Sequence, residues 1–517
     1  MLLRLFHRSL WTVFSEDQNF HALNRSQRKP IDAIARQHVL DMSRSPNWKI
    51  YDQQHWAAPE NTVANFSAIR SQDSRFDPSK PAGDAGGLFR WNGRLCRSIT
   101  NAQAPFLDHL LRDGIVNAMV KRGLLIESEL YYKPLTGYAA VLTHRSIPFI
   151  SYPNEWCARM LRDGALTIID LAIELSRSGL TLENANPRNV LFDSSKPVYV
   201  DLTSIGPQEK GLAWSAYDQF CRFCYYPLIL MSAGQERIAR ALIRDDEGVL
   251  RNELRSMAGG SGLSRFFRFE ILRRGFNSIK SSLLKQSGKS ALSLLKEARR
   301  DLEKIQLPSY KRRDRSRRIQ ALLPLHEDGE WTSRQLAVRK LLTKLNPANV
   351  LDVSRGPLWT ATVPAMMGFN VVSADMDAAR ISALYRDSCD KNLSILPLLI
   401  DFMKPSPSVG YSDHYSIAAT ERLKCDLVLA LGLTSEAIIE DQHNFDVMAA
   451  ALASFSKRWL VIEYDDPRSS RRASPINSLA SASGKLRELI DSLAKHFGEI
   501  NLISSRGYAG ALVLCEK

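Results

Sequence analysis

The apolar positions of this chain fall into two successive rhythms. In the first, GLFRWNGRLCRSI (87–99) reads as two short strands around an Asn92-Gly93 turn, residue types that tolerate the positive φ of a tight hairpin. The stretch 101–123 reads as helix, and LLIESELYY (124–132) and IPFISYP (147–153) read as strands. Arg159–Ser178 then carries Leu161, Leu166, Ile169 and Ile173 at helical spacing, up to a stop at Gly179. A small mixed sheet followed by helices is the order of a two-lobed α+β domain.

The second rhythm begins after a helix over Ser333–Leu345 that Asn346-Pro347 ends. NVLDVS (349–354), NVVSADMD (370–377), SILPLLIDF (394–402), CDLVLALGL (425–433) and RWLVIEYDD (458–466) are apolar, strand-length and separated by room for crossover helices. Continuous apolar strands alternating with helices predict a parallel, doubly wound α/β sheet. EINLISS and GALVLCE, joined through Arg506-Gly507-Tyr508-Ala509, add a terminal hairpin, for seven strands with the last antiparallel.

The predicted organisation is therefore an irregular arm over 1–85, closed by the breaker-rich PSKPAGDAGG (78–87), an α+β domain over 86–250, a basic helical connector over 251–330 and an α/β domain over 331–517. A length of 517 residues suits several domains, and an apolar fraction of 44% with 24% charged residues excludes collagen-like, coiled-coil and wholly disordered chains. No run approaches the roughly 18 uninterrupted apolar residues of a membrane-spanning helix. The leading MLLRLFHRSLWTVFS is broken by Arg4, His7 and Arg8 and reads as a docking arm or short helix, with peripheral membrane contact as the alternative. Seven scattered cysteines suit reduced thiols and a cytoplasmic location, and Cys221 and Cys224, with no second pair, make no metal framework.

Charge changes the picture only once it is located. The formal net charge is +14, but Arg251–Arg318 alone holds 19 Lys/Arg against 6 Asp/Glu, which leaves the rest nearly neutral. KRRDRSRR (311–318) has no interleaved aromatic platform and no recognisable nucleic-acid module. The segment is expected to be a solvated connector or a surface for an anionic partner, and nucleic acid is not the favoured partner.

In a doubly wound sheet the ligand lies across the carboxyl ends of the strands at the switch point beside the first strand, so the residues there are the candidates. The first strand ends in Asp352-Val353-Ser354-Arg355-Gly356, the second in Asp375 and Asp377, the third in Asp401. An acid at the second strand's end, about 20 residues past the first turn, suits ribose hydroxyls, and Asp401 suits an adenine amino group. Each acid alone also fits a helix cap or turn.

The strand order, the position of Asp375, ILPLLIDF, CDLVLALGL and WLVIEY together resemble a class I S-adenosylmethionine-dependent methyltransferase. More narrowly, YPNEW (152–156), LENANPRNVLFD (182–193), PVYVDLTSI (197–205) and AWSAYDQFCRF (213–223) are similar to the rhizobial host-specific nodulation protein family of methyltransferases, so the resemblance covers most of the chain. It implies S-adenosyl-L-methionine bound through Asp352, Ser354, Gly356, Asp375 and Asp401, and a small-molecule or glycoconjugate acceptor in a specialised pathway. The first loop departs from the glycine-rich pattern at Ser354 and Leu358, and the family's histidine pair after strand four is Ser435-Glu436 here. Glu436 is the candidate base and Glu463 the candidate for positioning acceptor or cofactor; the competing readings are a helix cap for Glu436 and an Arg pair for Glu463. A catalytically inactive binding or regulatory protein is the rival to the enzyme.

LENANPRNVLFD followed by PVYVDLTSI also repeats the layout of a kinase catalytic loop and its metal-binding strand. Asn189 and Asp201 match the two magnesium ligands, whereas Asn184 stands where the catalytic Asp belongs and cannot accept a proton as a carboxylate does. No Gly-rich phosphate loop precedes them, and Arg97 and Lys133 are the candidates for a phosphate-facing cation. A degenerate kinase-like scaffold, with Mg2+ or nucleotide as its possible ligands, is the expectation.

Overall fold

The computed structural model describes residues 75–76, 88–91, 94–131, 139–208, 214–257, 291–308, 310, 331–409, 416–434, 445–464, 484–503 and 511–517. All lie in the second of the two units, Met1–Ser67 and Ala68–Lys517, into which the chain divides. Of the arm read over 1–85 only Arg75–Phe76 is described, as a strand, and Lys133, Glu436 and 311–318 fall outside the described residues.

The first sheet has five strands, β1 (Arg75–Phe76), β2 (Leu88–Trp91), β3 (Arg94–Ile99), β4 (Ser128–Tyr131) and β5 (Ala140–His144), in the order β1-β2-β3-β5-β4. Every pairing is antiparallel, not mixed as the strand reading implied. Trp91 faces Arg94 across the predicted Asn92-Gly93 turn. The 101–123 stretch is two helices, α1 (Ala104–Arg112) and α2 (Ile115–Lys121), because Gly114 takes φ +75 between them.

The predicted strand over 147–153 is a correction. Its alternating burial is real, with Phe149 and Ser151 inside, but Pro148 and Pro153 remove two of the ladder's N–H donors. The Ile150 carbonyl instead accepts from the Arg422 guanidinium at 2.6 Å, and the chain turns into a 3-10 helix over Pro153–Glu155. The fifth strand is Ala140–His144, which the apolar pattern did not single out.

Helix α3 (Ala158–Arg177) buries Leu161, Ile168, Ile169, Leu171, Ala172 and Leu175 and ends before Gly179 at φ +71, as expected from its spacing. Two hairpins follow in chain order: β6 (Leu180–Leu182) pairs with β9 (Ile205–Pro207), and between them β7 (Val190–Asp193) pairs with β8 (Lys196–Tyr199). Helix α4 (Ala291–Glu303) lies within the basic segment but is no solvated connector. It buries Leu294, Leu295, Ala298 and Leu302 in the same core, and its Arg299 reaches Asp170 of α3 at 2.5 Å.

The second sheet is the doubly wound, Rossmann-like sheet predicted. Strands β10 (Asn349–Asp352), β11 (Asn370–Asp375), β12 (Ile395–Leu399), β13 (Cys425–Ala430), β14 (Ser456–Tyr464), β15 (Glu499–Ile503) and β16 (Ala511–Glu516) lie in the order β12-β11-β10-β13-β14-β16-β15. The first five are mutually parallel, and β16 runs antiparallel between β14 and β15. Side chains alternate between faces along most of these strands, as a pleated strand requires. Val350, Val371, Ile395, Leu427, Leu429 and Val461 enter one core with helices α5 (Ser333–Leu345) and α6 (Trp359–Met366). Leu351, Val372, Leu396, Val428, Leu460 and Val513 enter the other, with α7 (Ala378–Lys391), α8 (Phe445–Phe455) and α9 (Gly484–Ala494).

That second core is continuous with the core around α3. The Tyr385 hydroxyl of α7 donates to Asp163 of α3 at 3.0 Å; burial pushes both the Asp163 carboxyl and the Tyr385 phenol up from their usual values. Among the described residues no helix is long and apolar enough to cross a membrane.

Candidate functional site

The polypeptide leaves β10 at Asp352, whose carboxylate is fully buried. It accepts from the Ser354 N–H at 3.1 Å, the Thr360 hydroxyl at 3.1 Å, the Ser373 hydroxyl at 3.0 Å and Arg380 at 3.2 Å. A carboxylate so fully engaged fixes the loop's shape and has little left for a ligand. Ser354 is equally internal: its Oγ donates to the Leu429 carbonyl at 3.4 Å and accepts from the Leu431 N–H at 2.9 Å, tying the loop to β13. Leu358 is buried in the core on the α6 side of the sheet. The two departures from a glycine-rich loop are thus spent inside the protein. Gly356, at φ +120 with open space where a Cβ would stand, keeps the one glycine that the backbone demands.

The loop also fits closely against the end of β13. Arg355 N–H donates to the Leu431 carbonyl at 2.8 Å, and a Cβ on Gly432, itself at φ +75, would stand 2.6 Å from the Arg355 carbonyl oxygen. Gly432→Ala is therefore expected to displace the loop and destabilise the fold by about 1–3 kcal/mol, the scale of a strained backbone position. Urea unfolding of the variant beside wild type measures it, and an unchanged midpoint would show that the loop gives way freely.

Asp375 ends β11 with 3% of its side chain exposed. It pairs with Arg355, accepts from the Asp377 N–H at 2.9 Å and lies 3.5 Å from Arg380. Arg380 thus sits between Asp352 and Asp375 and joins the first two strand ends into one buried network. Asp377 accepts from Ala379 and Arg380 N–H groups, as an N-cap of α7 does. Asp401 lies two residues beyond Leu399, the β12 partner of Asp375, and is half-buried; its Oδ1 accepts from the Met403 N–H at 3.0 Å. Three of the predicted acids therefore gather at adjacent strand ends, and Asp375 and Asp401 carry the acceptor chemistry that a ribose diol and an amino group require.

Glu463, on β14, is buried and pairs with Arg334 of α5, while its Oε2 accepts from the Gly432 N–H at 2.7 Å. Arg334 also lies over the Trp359 ring at 5.3 Å. This carboxylate holds the end of β13 against α5, close to the loop that carries Arg355.

In the first half the structure brings Asp201 and Arg97 together at 3.8 Å, both nearly buried. Asp201 further accepts from the Thr203 hydroxyl at 2.6 Å and the Ser204 hydroxyl at 2.5 Å. Asn189 donates to the Tyr199 hydroxyl at 3.3 Å, and that hydroxyl donates to the Asn184 carbonyl at 2.7 Å; burial pushes the Tyr199 phenol up. An Asp neutralised by Arg and two hydroxyls, beside an Asn bonded to a phenol, is a satisfied polar cluster. These partners supply no reason to place magnesium there, and among the described residues no group of three or more His, Cys, Asp or Glu gathers to hold a metal.

No family model matches the chain. It is 26% identical over 396 residues to nodulation protein NoeA of Rhizobium meliloti (strain 1021), a span of 71% of this chain and 80% of that relative. Similar solved structures include the magnesium protoporphyrin IX methyltransferase ChlM from Synechocystis PCC 6803 with bound SAM, at 14% identity over 37% of this chain and 86% of that one, with a TM-score of 0.25. The N-methyltransferase NodS from Bradyrhizobium japonicum WM9 in complex with S-adenosyl-L-homocysteine is 11% identical over 39% of this chain and 95% of that one, with a TM-score of 0.27. With scores of this size, the fold assignment rests on strand order and register.

The Arg pair read as the alternative for Glu463 is Arg334, whereas sequence reasoning gave no role to two further arginines at this end of the sheet, Arg355 and Arg380. For Arg380 a signal existed. A cation in the first turn of a helix faces the positive end of the macrodipole, so it needs a compensating carboxylate, and Asp352 and Asp375 supply two.

Proposed function

We propose that the chain is an S-adenosyl-L-methionine-dependent methyltransferase acting on a small-molecule acceptor. The observation that carries the reading is the buried Asp375 carboxylate at the end of the second strand, beside the Gly356 loop, at the switch point of a seven-stranded doubly wound sheet. The acceptor fits: one Asp375 oxygen accepts from the Arg355 guanidinium and the other lies 3.5 Å from Arg380, so the carboxylate presents both oxygens to donors, as holding a ribose diol requires. S-adenosyl-L-methionine would supply a methyl group on a sulfonium, whose sulfide is already a good leaving group. This chain's residues then have to orient and to exclude water. Asp375 takes the ribose hydroxyls, Asp401 the adenine amino group, and the loop clamped by Asp352 and Ser354 carries the methionine portion over Gly356. Glu463 acts by fixing Gly432 and thereby that loop, and Glu436 remains the candidate base for an acceptor that must lose a proton. A glycoconjugate acceptor in a specialised pathway is the narrower form of this reading, and it rests on the sequence resemblance alone.

The first half is read as a degenerate kinase-like scaffold. Supporting this are the antiparallel sheet with two helices between its third and fourth strands, and Arg97 on that third strand beside Asp201, where kinases place a lysine near the metal-binding Asp. Domains over 86–250 and 331–517 follow this reading, with α4 packed into the core of the first, and the basic residues of 251–318 that α4 does not use are proposed as a surface for an anionic partner. The rival, a binding protein without turnover, is favoured by one observation, the Arg355 guanidinium already seated on Asp375.

Isothermal titration with S-adenosylmethionine and S-adenosylhomocysteine tests the proposal. Binding of both at micromolar concentration is expected. Heats indistinguishable from dilution for both ligands, with the protein folded by circular dichroism, would leave the rival reading.

A further inference from the structure

A small, partly enclosed pocket lies where the first half meets the chain between β12 and β13, and none of its described lining residues belongs to the Asp375 network. Tyr152 and Asn154 reach it from the YPNEW segment, Arg188 from the 3-10 turn Pro187–Asn189, and Arg244 from the end of the helix Glu236–Ile243. Ser406 and Ser416 close it from the second half. Glu155 is the one acid among the described lining residues, and it is already matched. Its Oε1 pairs with Arg422 and accepts from the Ser406 hydroxyl at 2.9 Å, and its Oε2 accepts from the Tyr152 N–H at 3.1 Å.

What the pocket has left over is donors. The Arg244 guanidinium, the Asn154 amide and the Ser416 hydroxyl make no side-chain hydrogen bond or ion pair with another described residue. The Tyr152 hydroxyl accepts from the Ile417 N–H at 3.0 Å, and burial pushes the phenol up from its usual value, so it keeps its own proton to donate. Arg188 gives one nitrogen to the Arg244 carbonyl at 3.2 Å, and a guanidinium shares five N–H donors among its acceptors. Two cations and three neutral donors around a carboxylate that is already paired suit an anion rich in acceptor oxygens. A phosphoryl group, with three such oxygens and nearly two charges at neutral pH, meets that description better than a carboxylate with two oxygens and one charge.

We propose that this pocket is a phosphate site, in which Arg244 and Arg188 take the charge of a phosphoryl group and Asn154, Ser416 and Tyr152 donate to its oxygens. The proposal is independent of the cofactor reading, and a ligand held there touches both halves of the protein.

The test is calorimetric titration of the full chain with inorganic phosphate, phenyl phosphate and acetate, in chloride of matched ionic strength. Phosphate and phenyl phosphate are expected to bind with dissociation constants below about 1 mM, and acetate at least about tenfold more weakly. A tighter fit of phenyl phosphate assigns the site to the phosphoryl end of a larger molecule, and a tighter fit of phosphate assigns it to the free anion; both keep the site. Arg244→Ala removes an exposed side chain and should weaken both phosphates about tenfold, the scale of one charge-assisted bond. Asn154→Asp, which keeps the side chain's shape and adds a like charge, should abolish binding. Arg237→Ala, on the same helix and outside the pocket, removes the same charge and should leave both affinities within about twofold. No heat from either phosphate at about 10 mM with folded wild type would overturn the proposal. So would unchanged affinity in Arg244→Ala and Asn154→Asp, an equal loss in Arg237→Ala, or acetate binding as tightly as phosphate.

Discussion

Asp375→Ala is expected to weaken S-adenosylhomocysteine binding by at least about 100-fold, because a ribose diol makes two hydrogen bonds to one ionised carboxylate and each such bond contributes about 1.5–3 kcal/mol. The carboxylate is 3% exposed and aligned at the end of β11, so a ligand pays little to organise it, and nothing nearby replaces it: Asp352 is buried with its oxygens already engaged, and Asp401 belongs to the next strand. The substitution also releases Arg355 and half of the charge facing Arg380, so some stability is lost as well. Asp375→Asn separates the two effects. The amide keeps the shape of the side chain and one acceptor, and should recover most of the melting temperature while binding stays weak. Titration and thermal melts of both variants give the answer, and an affinity within threefold of wild type in Asp375→Ala would mean that the nucleoside does not sit on this strand end.

The second sheet was legible for a physical reason. A parallel strand is buried on both faces, so it reads as an unbroken apolar run, and NVLDV, ILPLLI and CDLVLA could hardly be anything else. The first sheet is antiparallel with short strands, and its signals were weaker and partly false. The IPFISYP segment alternates like a strand because alternate residues are buried, yet the partner of its backbone is the Arg422 side chain, about 270 positions away, which no local pattern carries. The site divides in the same way. Acids at strand ends are visible because strand ends are; the arginines that answer them come from a helix turn and a loop, where position in the sequence does not reveal direction. Ser354 and Leu358 stood out as departures from a glycine-rich loop, and the structure shows both turned to internal uses, with the partly exposed Arg355 between them paired to Asp375.

Arg422→Ala should cost about 3–5 kcal/mol of stability, the loss typical of breaking a buried ion pair by removing one partner. Arg422 and Glu155 each have 1% of their side chain exposed. The guanidinium also donates to the Ile150 carbonyl at 2.6 Å and the Ile417 carbonyl at 3.1 Å, and lies 4.7 Å from the centre of the Tyr152 ring. Glu155 in turn accepts from the Ser406 hydroxyl at 2.9 Å and the Tyr152 N–H at 3.1 Å. Removing Arg422 therefore strands a carboxylate and two carbonyls away from water. The double variant Arg422→Met with Glu155→Leu removes both charges and should regain a large part of the loss, because the attraction between buried charges is offset by their desolvation. Equilibrium urea unfolding of the three proteins decides it, and a loss below about 1 kcal/mol in Arg422→Ala would mean that water reaches the pair, since exposed pairs contribute no more than that. The location gives the measurement its further meaning. The pair joins the YPNEW segment, at the start of the helical part of the first half, to the chain that leads into β13, the strand on which the Arg355 loop is clamped. If the first half influences cofactor binding, Arg422→Ala is the variant in which S-adenosylhomocysteine affinity should fall although the residue is not among those assigned to the ligand.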